Sequence, residues 1–190
     1  MDIDDISPEL QDEYNSKYKR AFDLLSEYAF IGSRGRIGNR ERKHIEQTIP
    51  LFTRCIEIWR GSWSAMWGLG KAHQALGHHR TALGWFERAF KIEEGNSDVF
   101  REASLEALSL GEAKKALSYA KKACDLDPDN SGLHANLALA LLLNKQGEEA
   151  LKKIQETCER DSKDTVSKNV MALISDVLDG KRPYPEKIEG

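Results

Sequence analysis

Residues 81–96 read TALGWFERAFKIEEGN, and thirty-four residues later the chain reads KALSYAKKACDLDPDN over 115–130. Ala82 and Ala116, Leu83 and Leu117, Ala89 and Ala123, and Asn96 and Asn130 hold the same places in both stretches. Ala150 and Leu151 carry the first two series one step further. Gly77 and Gly111 keep the same interval, as do Ile92 and Leu126. A fixed period changes the meaning of every residue inside it, because each unit must bury its apolar side on its neighbours. The period defines the units 63–96, 97–130 and 131–164.

Each unit holds two stretches of helical spacing, parted by a turn and closed by another, so a helical hairpin is the natural reading. In the first unit Met66, Leu69, Gly70 and His73 fall on the inner side of one helix. Ala82, Phe86 and Ala89 line the other, and HQALGHHR (73–80) makes the bend. Two helices approach closely only where side chains are short, so Gly70, Ala82 and Ala89 set the packing distance.

These residues resemble the tetratricopeptide repeat. Leu69-Gly70, Ala82, Phe86 and Ala89 match its signature, and Asp127-Pro128-Asp129-Asn130 is close to its closing turn. There are departures. Ala103-Ser104 and Leu137-Ala138 stand for Leu-Gly, Glu94 and Ser162 for the closing proline, and Gly147 is displaced from the position of Gly77 and Gly111. The resemblance implies an all-α fold, a right-handed α-α superhelix or solenoid forming a single domain over 1–190. It would hold three regular 34-residue hairpins, a degenerate N-terminal hairpin and a C-terminal capping helix.

The degenerate unit spans 7–62. One period back from Phe86, Ala89 and Ile92 lie Phe52, Cys55 and Ile58, which marks a second helix within 46–60. Pro50 lacks the backbone donor a helix interior needs, so this helix is expected to start near Thr48 or to kink there. Its partner falls within 8–30, opened by Ser7-Pro8-Glu9 and made apolar by Ala21, Leu24, Leu25 and Tyr28. An enlarged loop, 31–43, joins them. At the other end 165–180 reads as a capping helix with Val166, Val170, Leu173, Ile174, Val177 and Leu178 on one stripe, and 181–190 (KRPYPEKIEG) as a flexible tail that could fold along the array.

Trp59, Trp63 and Trp67 fall four apart but form no ladder, because Gly61-Ser62 breaks the helix between the first two and Ser62 suits an N-cap. Packing at a repeat boundary is the expected role of the three together.

The chain has 190 residues and a formal net charge of -3 with 31% charged residues, so nucleic acid is not the expected partner of the whole. No stretch approaches ~18 apolar residues and the N-terminus lacks the pattern of a leader, which gives no expected membrane span and a cytoplasmic location. Cys55, Cys124 and Cys158 have neither disulfide nor zinc spacing and read as buried thiols. His73, His78 and His79 lack a cysteine or acidic ligand spaced for closure, so no metal is expected. No nucleophile elbow, HExxH or P-loop is present, and GSRGRIG (32–38) follows a helix instead of a strand. An enzyme is therefore not expected, nor a cofactor. The basic residues Arg34, Arg36, Arg40, Arg42 and Lys43 form a loop that could meet RNA or a phosphorylated ligand. A solvated loop explains them equally well.

The resemblance turns the first helix of each unit toward a concave groove. It assigns Trp67, Lys71 and Gln74, then Arg101, Leu105 and Leu108, then Ala135, Leu139 and Leu142 to that groove. A row of leucines on a surface calls for a cover. The expected cover is a peptide or helix of another protein, which makes the chain an adaptor or scaffold. The tail, the N-terminal helix or a second copy in a homo-oligomer are the alternatives. Related cochaperones clamp acidic C-terminal peptides; the matching places here are Trp67, Lys71, Glu102, Gly132 and Asn136, and Glu102 would repel a carboxylate.

Overall fold

The computed structural model describes residues 6–29, 37–161 and 163–188. The regular elements among them are all helices: α1 (Pro8–Ala29), α2 (Asn39–Ile58), α3 (Trp63–Ala75), α4 (His79–Phe90), α5 (Ser97–Ser109), α6 (Ala113–Leu126), α7 (Ser131–Leu143), α8 (Gly147–Arg160) and α9 (Thr165–Leu178). They form an all-α helical-repeat fold. The backbone divides into two compact units, Met1–Glu94 and Gly95–Gly190.

The repeat is written first in its caps. Ser62 Oγ accepts from the Ala65 N–H at 3.2 Å, Asn96 Oδ1 from Asp98 at 3.0 Å, and Asn130 Oδ1 from Gly132 at 3.1 Å. Asp164 Oδ1 accepts from Val166 at 2.9 Å and Ser167 at 3.2 Å. These four residues lie one period apart, and each satisfies donors that a helix start leaves open. The bends repeat too. Gly77 and Gly111 adopt φ of +77° and +71°, which lets His78 N–H reach His73 O and Glu112 N–H reach Ala107 O, both at 2.8 Å. In the third hairpin the same left-handed position is held by Lys145, at φ +63°, with Gln146 N–H on Leu141 O at 3.0 Å.

In the first unit α1 packs against α2, and α3 against α4, with α2 and α1 both meeting α3. Tyr14, Ala21, Leu25, Ile45, Phe52, Cys55, Leu69 and Phe86 are buried. Two aromatic rings press on glycines: a Cβ at Gly68 would lie 2.7 Å from Phe52 Cε1, and one at Gly70 2.7 Å from Phe86 Cδ1. Trp59 ends α2 and stands edge-on to Tyr14 with centroids 5.9 Å apart, while the Tyr14 hydroxyl meets Ser62 Oγ at 2.7 Å. Arg54 clasps Glu13 through Nε and an Nη, at 2.9 and 3.1 Å, tying α2 to α1.

Helix α2 differs from expectation. It begins at Asn39 and runs through Pro50. Ile45, Thr48, Phe52, Cys55 and Ile56 are buried along one stripe, and that stripe spans the proline, which sits exposed on the other side. Pro50 removes one backbone donor, a smaller loss than uncovering the stripe. The helix therefore takes up the C-terminal part of the loop expected over 31–43. The side chain of Tyr28 lies outside the described residues.

In the second unit α5 packs on α6, α7 on α8 and α8 on α9, while α5, α7 and α9 adjoin in sequence. Ser104 stands one period after Gly70, and its buried hydroxyl donates to Ala116 O at 3.0 Å, linking α5 to α6. Helix α9 buries Ser167, Val170, Ile174 and Val177. Val166, expected in the same stripe, is 58% exposed. Beyond Gly180 the tail does not leave the unit: Ile188 N–H donates to Leu108 O at 3.0 Å.

Candidate protein-binding face

The expected groove residues separate by unit and by depth. On α3, Trp67, Lys71 and Gln74 are each half-buried, and Lys71 Nζ donates to Gln74 Oε1. On α5, Arg101 and Leu105 are half-buried, and on α7 so is Leu139. Leu108, Ala135 and Leu142 are not surface residues, with 1%, 1% and 0% exposure. The reason is packing. Helix α7 (SGLHANLALALLL) is apolar nearly all round and lies among α5, α6, α8 and α9, so most of its side chains are interior. Leu108 lies in the last turn of α5, and its carbonyl accepts from Ile188 N–H.

The period locates what the sequence reading assigned elsewhere. One step beyond Leu105 and Leu139 comes Leu173 on α9, also half-buried, and one step beyond Asp98 and Gly132 comes the exposed Val166. Leu105, Leu139 and Leu173 are thus equivalent positions on three adjoining helices, with Val166 two turns before Leu173. Sequence reasoning placed Leu173 only in the cap; the 34-residue step was the available signal.

A polar edge accompanies this row. Arg101 contacts Asp98 Oδ1 at 2.8 Å and Glu102 Oε1 at 2.9 Å, and Glu102 is only 3% exposed. Burial works against the Arg101 charge, but neighbouring Glu102, by charge and hydrogen bond, and Asp98 outweigh it and hold the guanidinium above its ordinary value.

Other candidates stand apart. His73 Nδ1 and His78 Nδ1 are 3.3 Å apart and their ring centroids 5.6 Å, so the two nitrogens face each other in a hydrogen bond. Burial, with His78 beside it, holds the His73 imidazole below its ordinary value. No group of three or more His, Cys, Asp or Glu side chains is disposed to hold a metal among the described residues. Burial pushes the Cys55 and Cys124 thiols up to about 11, away from nucleophilic readiness, and Cys158 is half-buried instead of buried. Of the basic loop, Arg40, Arg42 and Lys43 stand on the first turns of α2, whereas Arg34 and Arg36 lie outside the described residues. No helix among the described residues is long and apolar enough to cross a membrane.

Residues 107–174 match the family model described as the tetratricopeptide repeat. No curated protein matches the chain. Several solved structures share its fold. MamA (residues 41 to the end) from Desulfovibrio magneticus RS-1 is 15% identical, with 86% of each chain covered and a TM-score of 0.69. YrrB, a TPR protein with an unusual peptide-binding site, is 16% identical over 92% of this chain and 86% of its own, at a TM-score of 0.65. PilF from Pseudomonas aeruginosa is 16% identical over 88% and 71%, at 0.67.

Proposed function

For a chain that carries tetratricopeptide repeats, we propose a protein-interaction function without chemical conversion, in which an amphipathic helix or extended segment of another protein lies on the α5, α7 and α9 face of the second unit. The observation that carries this reading is the in-register row Leu105, Leu139 and Leu173 with Val166 beside it. Apolar side chains left open at one repeated position are a surface that a partner can cover. YrrB, which shares the fold, is described by a peptide-binding site, and supports a peptide as the kind of ligand. On the first unit, Trp67, Lys71 and Gln74 offer a separate set in which Trp67 is the natural anchor.

Magnitudes define what the partner must supply. Each leucine keeps at most about a third of its surface open, so covering it gains about 0.5 kcal/mol apiece, and the more exposed Val166 about 1 kcal/mol. The sum of about 2.5 kcal/mol falls below the lower estimates of the cost of association. A stable complex therefore also uses the polar groups bordering the row, Arg101 on α5 and Asn169 on α9. Because Arg101 already holds two carboxylates, an acidic ligand gains less from it than from an uncommitted arginine.

The test is affinity capture from a native lysate with the wild type and with Leu105→Glu/Leu139→Glu. Proteins retained by the wild type and lost by a normally folded double variant support the face. Identical retention by both removes its basis.

A further inference from the structure

Among the described residues, the tail is a segment that lies on the second unit as a bound peptide would, and its footprint describes a second site. It leaves α9 at Gly180, with Lys181 and Arg182 N–H both donating to Asp176 O, at 2.9 and 3.1 Å. From there alternate residues touch the second unit. A Cβ at Gly147 would lie 2.6 Å from the Tyr184 hydroxyl and 2.6 Å from Leu178 Cδ2. One at Gly111 would lie 2.5 Å from Glu186 O. Ile188 then donates its N–H to Leu108 O. Contacts at 184, 186 and 188 fall on alternate residues, as in an extended chain with a bend at Glu186, and Pro183 and Pro185 disfavour helical backbone at Arg182 and Tyr184 before them.

The track is shaped for such a segment. Glycines at 111 and 147 leave the floor without side chains where the tail passes, and Leu108 turns an end-of-helix carbonyl outward as a main-chain acceptor. The contacts at 186 and 188 involve backbone atoms, so they admit many sequences, whereas at Gly147 it is the Tyr184 hydroxyl that meets the floor. Beyond its main-chain bonds the occupant is held by ion pairs at the surface, Lys181 with Asp179 at 2.7 Å and Arg182 with Asp176 at 3.4 Å. Lys181, Arg182, Pro183, Glu186 and Lys187 are exposed, and Tyr184 keeps 38% of its surface open. A segment with so few buried contacts opens locally at low cost.

We infer that the track from Leu178 and Gly147 to Gly111 and Leu108 is a peptide site for an extended, proline-flanked tyrosine segment of a partner protein, and that residues 181–188 fill it in cis until such a segment displaces them. It shares no side chain with the Leu105, Leu139 and Leu173 row, so either surface can fail without the other.

The experiment uses the full chain and a labelled synthetic peptide of sequence 181–190, with binding read by fluorescence anisotropy. In wild type the tethered tail competes at high effective concentration. The released variant Tyr184→Ala/Ile188→Pro, which removes the tail's aromatic side chain and its amide donor to Leu108 O while leaving the track intact, binds the peptide at least tenfold more tightly. A peptide carrying Tyr184→Ala loses at least tenfold on that same variant. Equal binding by wild type and released variant, no binding by either, or indifference to the tyrosine of the peptide overturns the proposal.

Discussion

Lys145→Gly is expected to stabilise the protein, against the usual rule that glycine weakens a helical chain. Lys145 occupies the left-handed turn after α7 at φ +63°, the place that Gly77 and Gly111 fill after α3 and α5. A residue with a Cβ pays about 1–2 kcal/mol for this conformation. Glycine removes that strain but adds unfolded-chain entropy, costing about 0.5–1 kcal/mol. The balance is a gain of roughly 0.5–1 kcal/mol, and for a chain of this length 1 kcal/mol moves Tm by about 2–4 °C. Thermal and urea unfolding of wild type, Lys145→Gly and Lys145→Ala separate the causes. Lys145→Ala keeps the strained backbone while losing the exposed side chain, so it should stay near wild type. If alanine stabilises as much as glycine, the effect belongs to the side chain; if glycine destabilises, the bend is not strained as argued.

Gly70→Ala should cost about 1–3 kcal/mol through overpacking on Phe86, and adding Phe86→Leu should recover part of that loss in a double-mutant cycle; strictly additive losses would place the clash elsewhere. The depressed His73 value makes stability pH-dependent. Both states are neutral well above the ordinary value of 6.5, and as pH falls the unfolded chain protonates first, so stability is lost through the folded value and then levels off. His73→Gln should flatten urea midpoints measured from pH 7.5 to 5, and an unchanged slope would assign the effect to other groups. Peptide binding by the tail-released variant, described above, tests the second site independently of these.

The repeat was legible because its physics recurs at one step: Asn96 and Asn130 one period apart, a cap at Ser62, and bends at Gly77 and Gly111; the structure adds Asp164 to the series of caps. Substitutions hid the rest. Lys145 masks the third bend, because a lysine gives no sign of a left-handed backbone. Pro50 suggested a helix boundary, yet a buried stripe from Ile45 to Ile56 outweighs one missing hydrogen bond. Depth was the harder matter. Register assigns Leu108 and Leu142 to the same face as Leu105 and Leu139, but packing between helices makes the first two interior and leaves the second two half-buried. The tail's path has no periodic signal, since it depends on the absence of side chains at Gly111 and Gly147, far away in sequence.

The interaction claim is tested most directly by titrating the captured partner, once purified, against the wild type and Leu105→Glu/Leu139→Glu, with matched circular dichroism and unfolding midpoints. Two carboxylates facing a covered apolar row should weaken binding by at least thirtyfold, about 2 kcal/mol. Affinities within threefold of one another would show that the partner does not lie on this face.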